Sequence, residues 1–171
     1  LIPNYCFYIS GNKPHYIDYN NNKIYKLNED EIMLKYTIDF GAKKLPQKYM
    51  NSRSDYFKDV KRFAVLNTFV ENQNYLQFSF RYNDQVEVCL YDKRTDKMYR
   101  ITNSRGWQNR IPALFANCTF SGENYFASVL SNSNCLVFKK TGEMLRDVGL
   151  KNEVKKMNVM SNPMIVVYYL N

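Results

Sequence analysis

The stretch Tyr75–Ile101, YLQFSFRYNDQVEVCLYDKRTDKMYRI, decides the fold of this chain. Apolar and polar residues alternate in three consecutive segments, and this period of two is typical of half-buried β-strands. Asn83-Asp84 separates the first two segments, and both residue types tolerate the positive φ angles of a two-residue hairpin turn. The longer turn Asp92–Lys97 follows, with Asp96 predicted in the left-handed position. Three antiparallel strands are therefore predicted, joined in sequence order.

The alternation also predicts which side chains face the core. On the first two strands of the stretch these are Leu76, Phe78, Phe80, Tyr82, Val86, Val88 and Leu90. On an earlier strand they are Leu34, Tyr36, Ile38 and Phe40. Successive side chains of a strand point to opposite faces, so the polar residues between them are expected to face solvent.

Outward from this stretch, the chain repeats the same arrangement. Residues 4–40 and 62–101 each read as four strands in up-and-down order, and a repeat of about four strands is typical of propeller blades. Residues 41–59 break the alternation and are predicted as a long connection with a helical turn near Gln47–Met50.

The third unit, residues 112–170, is incomplete. Three strands are predicted in it, at 112–120, 124–130 and 164–170, and the continuous apolar run MIVVYYL predicts that the last is buried. A helical insertion is predicted at 132–157, between the second strand and the third. In its last part, apolar residues recur at i, i+4 and i+7 from Leu150, which is the spacing of one face of a helix.

The predicted fold class is all-β. Residues 1–171 are expected to form a single partial β-propeller domain of antiparallel four-stranded meander sheets, with a short helical insertion near the C-terminus. The 15 Tyr and 11 Phe support this prediction, since aromatic residues pack well on pleated surfaces.

The net charge of +8 raises the question of an anionic partner. No five charges of one sign run together, so a solvated surface is the favoured interpretation. Tyrosines near lysines, as at Tyr36, Lys43-Lys44 and Tyr49, leave a basic nucleic-acid binder as a weaker alternative.

The sequence contains no recognisable metal or cofactor motif. The four cysteines, Cys6, Cys89, Cys118 and Cys135, lack CxxC spacing. Free and partly buried thiols are the favoured interpretation, with disulfide pairing left open. The six glycines do not form a phosphate-binding loop. No metal and no cofactor are therefore predicted.

Catalytic residues are not indicated clearly either. His15 is the only histidine, and no Gly-x-Ser-x-Gly elbow accompanies it. Asp18, Asp39 and Asp55 lie near strand ends or in the long connection, where a pair of acids could cleave a saccharide. Acids at such positions more often cap turns, so an enzyme remains an alternative and a non-enzymatic role is favoured.

The best candidate for ligand binding is the loop of residues 104–110. It combines Arg105, Trp107, Asn109 and Arg110. A tryptophan ring can stack on a sugar, and arginine binds carboxylates or phosphates with two hydrogen bonds. A glycan or peptide ligand is predicted here. The alternative is that Trp107 fills the gap between two blades.

Several segments together resemble a family of six-bladed β-propellers from Bacteroides-type bacteria. They are Ile24–Leu27, Lys35–Gly41, Leu45-Pro46, Leu90–Lys93 and Asn162–Tyr168. Members of that family are longer envelope proteins, mostly without an assigned activity, that usually begin with a lipoprotein signal. The resemblance implies that this sequence corresponds to the C-terminal part of such a protein.

The resemblance has consequences for partners and location. Two and a half blades cannot close a ring of six, so the missing blades or a second copy are expected to pair at the open sheet edge. No window approaches the run of about 18 apolar residues that a membrane helix needs. The expected role is a binding or scaffold module of the cell envelope, in the periplasm or lipid-anchored at the outer membrane in the full-length protein. Half of a saccharide-cleaving propeller enzyme is the alternative.

Overall fold

Three antiparallel sheets make up the structure, a computed structural model that describes residues 6–10, 13–50, 59–101, 118–131, 148–158 and 161–170. The first sheet has the order β1-β2-β3-β4, with strands Phe7–Ser10, Lys13–Asp18, Lys23–Leu27 and Ile32–Thr37. The second sheet has the order β5-β6-β7-β8, with strands Val65–Glu71, Tyr75–Tyr82, Gln85–Asp92 and Lys97–Ile101. The third sheet has the order β11-β10-β9, with strands Phe120–Ser121 (β9), Tyr125–Leu130 (β10) and Met164–Tyr169 (β11).

The sheets are arranged like blades around a common region. Their first strands, β1, β5 and β9, contact one another, while the later strands extend away. This radial arrangement of meander sheets is that of a propeller. The predicted all-β, partial-propeller fold class is confirmed. Within the described residues, no helix combines the length and hydropathy needed to cross a membrane.

The turns follow the predicted chemistry. Asn83 and Asp84 have φ angles of 51° and 59°, which are those of a two-residue hairpin turn with both residues left-handed. Asp96 has φ 54°, and Asn22 in the β2–β3 turn has φ 55°. Asparagine and aspartate adopt this region more easily than other non-glycine residues because their short polar side chains bond locally.

In its described residues, the connection between the first two sheets contains three 3₁₀ turns. They span Gly41–Lys43, Gln47–Met50 and Val60–Arg62, so the predicted helical turn near residue 47 is present. The third turn delays the start of the next strand from the predicted residue 62 to Val65. The predicted helix segment 132–147 and most of the predicted strand 112–120 lie outside the described residues.

Strands β5 and β6 and most of β7 are buried on both faces, which corrects the prediction of half-buried strands, whereas the described side chains of β8 are exposed. One face packs against the first sheet, where Ile17 and Ile24 meet Leu66 and Phe69. On the other face, the polar residues Gln77 and Ser79, and Tyr75 with them, are also buried. The alternation is real, but its polar face lies toward the third sheet instead of solvent.

The last strand, β11, is half-exposed, and the prediction that it is buried was wrong. Its burial alternates, with Ile165, Val167 and Tyr169 exposed and their neighbours partly buried. One face of β11 packs within the third sheet's core, while the other face has no neighbouring sheet among the described residues.

The helix α1, Val148–Lys156, covers the end of the third sheet. Val154 and Met157 pack with Leu130 of β10, and Met164 and Val166 of β11 border this cluster. The predicted helical spacing therefore places Val154 and Met157 on one buried face, as expected.

Candidate functional site: a buried carboxylate between three sheets

Glu71, the last residue of β5, is the most unusual group of the described chain. Its side chain is only 1% exposed. A buried and unpaired carboxylate would cost several kcal/mol, so it requires close partners. Tyr8 donates to Oε1 at 3.1 Å, and Lys35 Nζ donates to the same oxygen. Tyr36 and Lys93 Nζ donate to Oε2 at 2.9 and 2.8 Å. Four donors therefore surround one carboxylate.

A β-bulge directs Lys35 into this site. The register pairs Ile24 with Tyr36 but Tyr25 with Leu34, which leaves Lys35 as the extra residue of β4. A bulge bends the strand and can redirect a side chain. The prediction that Leu34 and Tyr36 share a face was therefore wrong. Leu34 is exposed on the opposite face, while Lys35 and Tyr36 both reach Glu71.

Lys93 reaches the site from the turn after β7. Its backbone N–H donates to the carbonyl of Asn74 at 2.8 Å. Its ammonium donates to the carbonyl of Asn72 at 2.8 Å as well as to Glu71. These bonds tie the β7–β8 turn to the β5–β6 turn, which holds the ammonium beside the carboxylate.

The third sheet contacts the same point through one side-chain and one backbone hydrogen bond. Ser121 Oγ in β9 donates to the carbonyl of Glu71. The N–H of Gln73 donates to the carbonyl of Glu123 at 3.2 Å. Glu71 is therefore bonded to the first sheet through its side chain, to its own sheet through Lys93, and to the third sheet through its carbonyl.

His15 completes the cluster as a neutral ring. It stacks on Tyr8 with ring centroids 4.7 Å apart and is 1% exposed. Lys35 Nζ lies 3.1 Å from Nε2, and an ammonium can only donate, so Nε2 accepts. Nδ1 then carries the proton and donates to the carbonyl of Lys13 at 2.9 Å. Burial and the charge of Lys35 lower the pKa of His15, which favours this neutral form.

The protonation states follow from the same contacts. Burial raises the pKa of Glu71, but the hydrogen bonds and charges of Lys35 and Lys93 outweigh it and lower the pKa to about 2. Burial and the nearby Glu71 charge raise the pKa values of Tyr8 and Tyr36. The site therefore consists of an ionised carboxylate, two ammonium groups and two neutral phenols. A carboxylate has about four lone-pair positions, and these four donors use them.

Two of the three acids that were considered for a catalytic pair lie in turns. Asp18 accepts from the backbone N–H and the side-chain amide of Asn21, at 3.1 and 2.7 Å. Asp39 accepts from the N–H of Gly41 at 2.8 Å. Both therefore cap turns, and Asp55 lies outside the described residues.

The predicted ligand loop is not part of the described chain. Arg105, Trp107, Asn109 and Arg110 all lie outside the described residues. Their assignment to a glycan or peptide site stays a prediction.

Two of the four cysteines are buried thiols without a disulfide. Cys89 packs between the first and second sheets, and Cys118 packs between the second and third. Burial raises the pKa of Cys89 to about 11 and that of Cys118 to about 12. Cys135 lies outside the described residues, and the described ones hold no group of three potential metal ligands.

The tyrosines proposed for nucleic-acid stacking have other contacts. The Tyr36 hydroxyl donates to Glu71, and its ring lies 5.9 Å from that of Phe69. Tyr49 packs on Phe63 at 5.3 Å. These rings contribute to packing, so a stacking platform built from them gains no support.

Glu71 and its partners were not predicted from the sequence. The available signal was a carboxylate that directly follows Phe69-Val70 at the end of an apolar strand, where burial is expected. Its partners could not be found by spacing, because Tyr8 lies 63 residues from Glu71 along the chain.

Comparison with known proteins agrees with this architecture. A family model described as 6-bladed beta-propeller matches residues 2–128. No curated protein sequence matches the chain. The crystal structure of a Bacteroides fragilis protein described as exported is similar, with a TM-score of 0.71 and 18% sequence identity over 97% of this chain. The match covers 49% of that protein, so this chain spans about half its length. The resemblance to Bacteroides-type propellers is thus confirmed, and the chain belongs to the six-bladed β-propeller family.

Proposed function

We propose that this chain is a non-enzymatic binding or scaffold module of the bacterial cell envelope. One observation carries the proposal: the carboxylate of Glu71, buried where the described sheets meet, is saturated by hydrogen bonds from its own chain. An acid used in catalysis needs a free lone pair and a pKa near the working pH. Glu71 has neither, since its four donors occupy it and its pKa is lowered to about 2.

The arrangement is instead suited to holding three sheets in fixed relative positions. Glu71 accepts hydrogen bonds from two strands of the first sheet, and its carbonyl accepts from the third. Breaking such a buried network is costly, so the sheets are expected to move as one body. A rigid scaffold that presents its loops is the role that this geometry supports best.

The location at the envelope is supported by the similar protein. That protein is described as exported, and its fold is the one found here. The proposal includes a lipid anchor in the full-length protein, in the periplasm or at the outer membrane, as the family resemblance implies.

The ligand part of the proposal assigns a glycan or peptide to the loop of Arg105, Trp107, Asn109 and Arg110. Replacing Trp107→Ala should abolish binding on glycan and peptide arrays while the melting temperature stays unchanged. Tyr99→Ala, which removes an exposed aromatic ring from β8, should keep binding. A large fall in melting temperature for Trp107→Ala would instead assign the ring to packing between blades.

The non-enzymatic assignment is tested with saccharide substrates. The chain is incubated with a panel of oligosaccharides, and new reducing ends are measured for the wild type, Glu71→Gln and Glu87→Gln. Glu87 is a matched control because it is also a low-exposure acid, paired with Arg100 at 2.7 Å. No cleavage is expected from any of the three. Any cleavage by the wild type would overturn the proposal, and its loss in a folded Glu71→Gln variant would assign the activity to Glu71.

A further inference from the structure

Lys35 and Lys93 are held next to each other by the same two groups. Lys35 Nζ donates to Oε1 of Glu71, and Lys93 Nζ donates to Oε2 at 2.8 Å. Both ammonium groups also lie over the ring of Tyr36, at 5.4 and 5.9 Å from its centroid. One carboxylate and one aromatic ring therefore fix two positive charges close together.

Each of these ammonium groups has three N–H donors, and the described chain uses two of them. Lys35 donates to Glu71 and to His15. Lys93 donates to Glu71 and to the carbonyl of Asn72. The Glu71 side chain is 1% exposed, whereas those of Lys35 and Lys93 are 30% and 24% exposed. The third donor of each lysine is therefore available to an acceptor that arrives from solvent.

A third lysine, Lys26, lies on the same face of the first sheet. Lys26 pairs in register with His15, and His15 pairs with Tyr8, so these three side chains form a row across β3, β2 and β1. The charge of Lys26 contributes to the lowered pKa of His15, as expected for a neighbouring ammonium. Among the described residues, Lys26 has no ion-pair partner.

The groups around Glu71 therefore carry more positive than negative charge. Three ammonium groups accompany one carboxylate, while His15 and the two phenols are neutral, which leaves an excess of two positive charges. One lysine would suffice to neutralise Glu71. Like charges that are largely covered repel each other more strongly than they do in water. An anion that enters between the lysines would relieve this repulsion.

We propose that Lys26, Lys35 and Lys93 form a binding site for a phosphate group, either as free phosphate or as the phosphate ester of a larger ligand. A phosphate group carries a charge of about −1.5 to −2 at neutral pH, which matches the excess. Lysine binds phosphate as a point charge and does not need the planar geometry with which arginine binds carboxylates. Glu71 positions two of the ammonium groups and does not contact the anion. The site goes beyond the module function and does not depend on the predicted ligand loop of residues 104–110.

Calorimetric titration of the full 171-residue chain tests the proposal with three anions at one ionic strength. Inorganic phosphate and glycerol 3-phosphate are expected to bind, and the tighter of the two identifies free or esterified phosphate as the preferred form. Acetate carries a single charge and should bind at least about tenfold more weakly. Added KCl should weaken phosphate binding, because the lysines are partly exposed and salt screens their charge.

Two lysine variants locate the site. Lys26→Met and Lys93→Met should each weaken the binding of inorganic phosphate by about tenfold. Lys26→Met leaves both ion pairs of Glu71 intact, so it separates binding from folding. Lys61→Met is the matched control and should bind as the wild type does. Lys61 is 60% exposed and pairs with Asp84 in the β6–β7 turn, at the other end of the second sheet from Lys93.

Circular dichroism shows which variants are folded, and Lys26→Met decides the outcome if Lys93→Met does not fold. The proposal is overturned by a wild type that does not bind phosphate, or by acetate that binds as tightly as phosphate. A folded Lys26→Met variant with the affinity of the wild type also overturns it. Phosphate held by the arginines of residues 104–110 would give that last result.

Discussion

The two faces of the second sheet are buried by different chemistry. Toward the first sheet, an apolar cluster is joined by the ionised Glu71 with Lys35 and Lys93. Toward the third sheet, the contact consists of an apolar cluster around Phe126 and hydrogen bonds to backbone carbonyls, such as that from the Ser121 hydroxyl to Glu71. The apolar contact depends on buried area, whereas the charged contact also depends on position, because an ion pair stabilises only at good geometry. The charged junction with the first sheet is therefore fixed in position by Glu71, whereas the apolar junction with the third sheet is held mainly by packing.

The largest effect is expected from breaking the apolar junction, the contact between the second and third sheets. Phe126 is completely buried, so Phe126→Ala should remove about 4 kcal/mol from the free energy of unfolding by leaving a cavity. The melting temperature should fall by about 12 °C. Met98→Ala at an exposed site should change the free energy of unfolding by less than about 0.5 kcal/mol. Equal effects of the two changes would show that the third sheet does not pack on the second in this way.

Glu71→Gln should break the charged junction, the contact between the first and second sheets, with a slightly smaller loss in the free energy of unfolding. The amide leaves Lys35 and Lys93 without a counter-charge, and loss of one member of a buried ion pair costs about 3 kcal/mol. Chemical denaturation measures this loss. Glu87→Gln should cost less than about 1 kcal/mol, because the Arg100 side chain that pairs with Glu87 is 58% exposed. A Glu71 variant as stable as the Glu87 variant would contradict the comparison.

Acid should weaken the charged junction in two stages. Burial and Lys35 lower the pKa of His15 below its ordinary value of 6.5 in the folded state, so its contribution is complete above pH 6.5 and is lost as pH falls below it. The pKa of Glu71 falls from 4.5 to about 2, so its contribution is complete above pH 4.5 and is lost toward pH 2.

The two stages can be separated by denaturation at a series of pH values. His15→Gln cannot become charged and should remove the upper stage, while Glu71→Gln should flatten the profile below pH 4.5. The Phe126→Ala variant should keep both stages, since it alters only the apolar junction. An upper stage that persists in His15→Gln would assign it to another group.

The smallest effect is expected far from either junction. Asp84 has φ 59°, and glycine adopts this region without strain, so Asp84→Gly should raise the free energy of unfolding by about 0.5 kcal/mol. Its ion pair with Lys61 is exposed and contributes little. Asp96→Gly relieves the same strain but loses the 2.7 Å hydrogen bond from Tyr91, so it should give no net gain. Stabilisation by Asp96→Gly alone would reverse this expectation.

Local chemistry made the turns and strands predictable from sequence. Asn83-Asp84 and Asp96 adopt the predicted left-handed conformation, because the preference resides in each residue itself. The facing of Leu34 was not predictable, since nothing in the alternation shows a bulge at Lys35. The burial of Gln77 depends on a third sheet that lies more than 40 residues farther along the chain.

The candidate site was harder to predict from the sequence than the strands and turns. Glu71 could be recognised as a charge in an apolar segment, but its donors come from three separate stretches of sequence. Their convergence depends on how the sheets pack, and packing is a long-range property. Site residues in turns, such as Asp18 and Asp39, were correctly expected to cap them, because their hydrogen bonds are local.

The two buried thiols give each junction its own internal reporter. Cys89 lies in the junction with the first sheet and Cys118 in the junction with the third, and a thiol with a raised pKa does not react with alkylating reagents while it stays covered. The rate at which each thiol is alkylated in the native protein therefore measures how often its junction opens. Peptide mass spectrometry distinguishes the two sites, so one sample would rank how often the two junctions open.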